Sequence, residues 1–93
     1  MTPRQSKATT AANRRLVELM RAAFEASPMN RAELAERSGV PDGTIAKIMA
    51  GRAPIYAEQL VGLADALGVP IHEWLDEMRA ARDSAEKPDG IEP

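Results

Sequence analysis

Between positions 31 and 52 the chain sets out Arg31, Asp42, Gly43, Thr44, Lys47 and Arg52, residue types suited to binding rather than to bond-making. Lys47 can donate to guanine O6 or N7 on a base edge, or meet a phosphate as a flexible point charge. Thr44 can bond a phosphate or touch a thymine methyl; equally, it can support the first turn of a helix. Asp42 can accept from cytosine N4. A carboxylate repels phosphate, however, and a place at a helix start, where the macrodipole favours it, is the stronger reading. Gly43 has no side chain to read with and would contribute close backbone approach. Arg31 and Arg52 suit phosphate clamping, which fixes register without reading sequence; the bland alternative for each is a solvated charge. Covalent chemistry has little to work with. There is no cysteine, His72 is the single histidine and reads as a surface helix residue, and no glycine-rich phosphate loop or paired catalytic motif is present. Neither an enzyme nor a metal or cofactor site is expected.

These binding groups need a rigid carrier. The stretch 31–50, RAELAERSGVPDGTIAKIMA, has the spacing of two short helices crossing steeply, the second of which can enter a DNA major groove. Ala35 permits close approach of the helices, Gly39 can take the left-handed conformation that ends the first, and Leu34, Val40, Ile45 and Ile48 face a shared core. Other helices must surround this pair. Leu16, Leu19, Met20, Ala23 and Phe24 make a stripe at helical period, in a helix starting near Thr10 or Asn13 and stopped by Ser27-Pro28. Asn30 and Glu33 form a box-like N-cap for the second helix, which runs to about Ser38. Pro41-Asp42-Gly43 opens the third, with proline in its first turn, and Gly51 ends it. The fourth spans about 56–67 and buries Leu60, Leu63, Ala64 and Leu67; Gly68 caps it. The fifth starts near Pro70, and Ile71, Trp74, Leu75 and Met78 share one face. Trp74 is either core or the anchor of a dimer interface, and its apolar neighbours favour the dimer contact.

Ninety-three residues suit one small domain, rich in alanine and poor in aromatics, which points to an all-α fold. Residues 1–10 read as a flexible arm, 11–82 as the domain and 83–93 as a disordered tail. A plain terminus accounts for Arg4 and Lys7, the alternative being an arm laid along a groove. No apolar run is long enough to span a bilayer, the N-terminus is no secretory signal, and a cytoplasmic protein is expected. The net charge of −2 hides an asymmetry. Nine basic and five acidic residues up to Arg52 give +4, and the remainder gives −6, which would turn the first half towards phosphate.

Two blocks, AELAERSGVPDGTIAKIMAG (32–51) and LVGLADALGVPIHEWL (60–75), resemble the Cro and lambda-repressor-like, or Xre, family of five-helix DNA-binding domains. The resemblance covers roughly residues 16–75 and implies that helices two and three form the helix-turn-helix. It departs from the family in three places. Arg31 stands where a glutamine often reaches the DNA backbone, Pro41-Asp42-Gly43-Thr44 replaces a start usually rich in Ser, Arg, Gln or Thr, and Met49 replaces a common glutamate.

The resemblance implies a sequence-specific transcription regulator, a dimeric repressor of bacterial or bacteriophage type, with residues of about 41–50 in the major groove. Its partner would be double-stranded DNA carrying a pseudo-palindromic operator, with recognition helices about 34–36 Å apart, and Ile71, Trp74, Leu75 and Met78 would join the two copies. The alternative is a protein-interaction module, antitoxin-like or regulator-binding, that keeps the fold with weak or no DNA binding. The overall negative charge and the short-reach Asp42-Gly43 pair motivate it.

Overall fold

The computed structural model describes residues 10–86, which form five helices: α1 (Ala11–Ala26), α2 (Arg31–Ser38), α3 (Asp42–Met49), α4 (Ala57–Leu67) and α5 (Ile71–Glu86). The expected arm, with Arg4 and Lys7, lies outside the described residues apart from Thr10, and so do residues 87–93 of the expected tail.

Local chemistry sets most of the boundaries. Thr10 Oγ1 accepts from the Asn13 N–H at 3.1 Å and starts α1. Asn30 and Glu33 form the reciprocal capping box: Asn30 Oδ1 accepts from the Glu33 N–H at 2.8 Å, and Glu33 Oε1 accepts from the Asn30 N–H at 2.9 Å. Gly39, at φ 77°, ends α2 in the left-handed region. After α3, the Gly51 N–H reaches the Ile48 carbonyl and the Arg52 N–H reaches that of Lys47, which is the paired bonding of a Schellman motif. Two expectations are corrected. Pro41 is the N-cap of α3, extended at ψ 145°, rather than its first helical residue. Helix five continues past Arg82 to Glu86, because no proline or glycine interrupts the chain before Pro88.

Leu16, Val17, Met20, Leu34, Val40, Ile45, Ile48, Leu63, Ala64 and Trp74 form one core, to which all five helices contribute. The four apolar residues expected behind the helix-turn-helix are all in it. Along α1 the buried set is shifted: Val17 is buried, whereas Leu19, Ala23 and Phe24 are half-buried. The shift follows from packing, since α1 meets α3 and α4 as well as α5, its most extensive partner. On α4, Gly62 sits against the Ser38 backbone carbonyl so closely that a Cβ would collide with it. That contact seats α4 directly on the C-terminal end of α2 and braces the helix-turn-helix from behind.

Candidate nucleic-acid interface

Ile45 and Ile48 are fully buried and fix how α3 is rotated. At 100° per residue the side opposite them carries Gly43, Ala46, Lys47 and Ala50. Gly43, Lys47 and Ala50 are exposed and Ala46 is half-buried. The outward face of α3 is therefore a smooth strip of small residues with one long cation. Lys47 has no hydrogen-bond or ion-pair partner among the described residues, so its charge is available to a ligand. A Cβ at Gly43 would meet nothing, and its φ is not positive. The fold itself does not require glycine there. Thr44 is half-buried on the flank.

Arg31 and Asp42 meet. Arg31 is the first residue of α2 and Asp42 the first of α3, and the Arg31 Nε–H donates to Asp42 Oδ1, with both side chains about half exposed. The sequence alone assigns them separate roles, Arg31 on phosphate and Asp42 on its own helix dipole; the structure pairs them. The pair joins the N-terminal ends of the two helices on one side of the molecule. Arg52 is exposed in the turn after α3, with its backbone held by the Schellman bonds and no ion pair among the described residues.

The structure adds residues that sequence reasoning missed. Arg14 and Arg21 of α1 line a shallow depression with Glu18 and with Met49, Ala50 and Gly51 at the end of α3. Two further arginines thus flank the outward strip of α3. Their seven-residue spacing is visible in the sequence, but only the packing of α1 on α3 relates it to this site. Ala46 and Ala50 complete the strip, and small apolar side chains give no sign in a sequence that they face outward. Arg15 belongs elsewhere: its guanidinium donates to the Glu18 and Glu77 carboxylates, which raises its pKa, and the Glu77 bonds tie α1 to α5.

The four residues expected at a dimer interface divide. Trp74 is 4% exposed within the single chain and is core, which corrects the preference for a dimer contact; α5 turns it inward. Ile71 and Met78 are half-buried and Leu75 is 40% exposed. Leu75 and Met78 line a groove with Ala12, Arg79 and Arg82, and Met78 and Ala12 continue it towards Pro54, Ile55 and Tyr56. His72 is exposed, as expected. No described helix is long and apolar enough to cross a membrane.

A family model described as helix-turn-helix matches residues 20–74, from the middle of α1 to the first turn of α5. Comparison with curated proteins and with solved structures found no match.

Proposed function

Because the chain belongs to the helix-turn-helix family of Xre and lambda-repressor-like proteins, we propose that it is a sequence-specific transcription regulator acting as a dimeric repressor on a pseudo-palindromic operator. The family is one of DNA-binding regulators, generally without catalysis. The observation that carries the finer reading is the outward strip of α3, smooth and small around an unpaired Lys47, between the Arg31–Asp42 pair on one flank and Arg52 beyond its end. A strip of that kind can sit deep in a major groove while cations at its borders hold phosphates. Repression then needs no chemistry, because a bound dimer occludes the promoter.

The second copy docks, in this reading, along the groove of Leu75, Met78, Ile55 and Tyr56. Tyr56 is 58% exposed and aromatic, a residue type enriched at interface hot spots. The net charge of −2 and the neutralised Arg31 favour the alternative, a protein-binding module with the same fold. One experiment separates the two. Fragments of the source genome are selected on the purified protein, and affinity for the enriched duplex is measured by fluorescence anisotropy from low to moderate salt. Regulation predicts a recurring pseudo-palindrome and a log–log salt slope of about −0.9 per phosphate neutralised. No enrichment, with no binding at low salt, refutes it and leaves the module.

A further inference from the structure

A carboxylate at the start of a recognition helix is an unfavourable neighbour for phosphate unless something offsets its charge. Arg31 does so, and the way it does so leaves both partners usable. Arginine and a carboxylate often pair through two parallel bonds. Here a single bond, from Nε to Oδ1, joins them, and neither Nη1 nor Nη2 of Arg31 nor Oδ2 of Asp42 has a partner among the described residues. The guanidinium keeps four N–H donors for a phosphate oxygen, while the carboxylate keeps one oxygen that can only accept. Asp42 lies on the flank of the outward strip, one residue before Gly43, so the helix can approach closely beside it. In the major groove the donors are the exocyclic amines of cytosine and adenine. Adenine sets its amine between its own acceptor N7 and the thymine O4, both of which repel a carboxylate, whereas cytosine carries no acceptor of its own in the groove and leaves only the guanine O6 on one side of N4.

We propose that Asp42, its charge offset by Arg31, selects cytosine at one position of each operator half-site. This inference rests on the DNA-binding reading above and adds to it the identity of one base. Arg31 is a positioning residue here: it orients the carboxylate and anchors the pair on phosphate.

The test uses the full chain and a randomised duplex library, with binding competitions on the enriched duplex and its single-base variants, and circular dichroism to verify folding. The wild type is expected to prefer cytosine at one half-site position by about 5- to 150-fold. Asp42→Ala abolishes that preference and leaves the other positions unchanged. Asp42→Asn moves it towards adenine, whose N6 and N7 an amide can engage together. Arg31→Gln weakens all binding, and more so in the wild type than in an Asp42→Asn background, because only in the wild type does it leave an uncompensated carboxylate near phosphate. If folded Asp42→Ala keeps every base preference, or the wild type prefers another base at the affected position, the cytosine assignment is overturned while DNA binding stands. If the wild type enriches no sequence, both fall.

Discussion

Replacing Gly43 by alanine should move stability and DNA affinity in opposite directions. Gly43 is the second residue of α3, its φ is not positive, and an added Cβ meets nothing. The methyl therefore costs no strain, and losing glycine's extra freedom in the unfolded chain stabilises the fold by about 0.5–1 kcal/mol. In a domain of this size that raises Tm by roughly 2–8 °C, from about 4–8 °C per kcal/mol. The same methyl projects from the outward strip beside Lys47 and lifts the helix away from the base edges. Losing one base contact's worth of discrimination, about 1–3 kcal/mol, weakens operator binding by at least about fivefold. Thermal denaturation and anisotropy titration on the same preparation read both quantities. A variant that is more stable and binds as tightly as the wild type would refute close backbone approach at this position. One that is less stable would refute the open surroundings assigned to Gly43.

Gly62→Ala should go the other way, because its Cβ meets the Ser38 carbonyl. Overpacking of about 1–3 kcal/mol outweighs the gain in helix propensity and should lower Tm in a thermal melt. Trp74→Ala should remove about 3–5 kcal/mol in urea denaturation, since the ring is core. Leu75→Arg, at a 40% exposed site, should keep the folded circular-dichroism spectrum, shift the sedimentation coefficient from dimer to monomer, and lower Tm only by removing its dependence on protein concentration. Equal effects of these two substitutions on folding would contradict the division of α5 into a core side and a dimer side. Arg52→Ala should weaken all duplexes alike and reduce the salt slope by about 0.9. Lys47→Ala should relax preference at particular base positions.

The fold was legible because its signals are local and mutually consistent. The Asn30–Glu33 box, the left-handed Gly39 and Gly68, and the apolar spacing of Leu34, Val40, Ile45 and Ile48 each require only nearby residues to be read. What was missed depends on packing between distant segments. Val17 is buried because α1 meets more than one helix, and Trp74 is core because of how α5 lies on the rest. The Arg31–Asp42 bond spans eleven residues and two helix starts, and neither helix alone predicts it. Arg14 and Arg21 join the site only through the approach of α1 to the end of α3. The candidate interface was thus visible residue by residue on α3, while its flanks and its internal charge pairing were not.

The central claim is that α3 lies in the major groove, twice, on one operator. Dimethyl sulfate protection of guanine N7, a major-groove atom, tests it directly on an enriched duplex. Two protected patches are predicted, centred one helical turn or about 34–36 Å apart, and Leu75→Arg should weaken both together. Tight binding with guanine N7 left fully reactive, or a single protected patch, would contradict it.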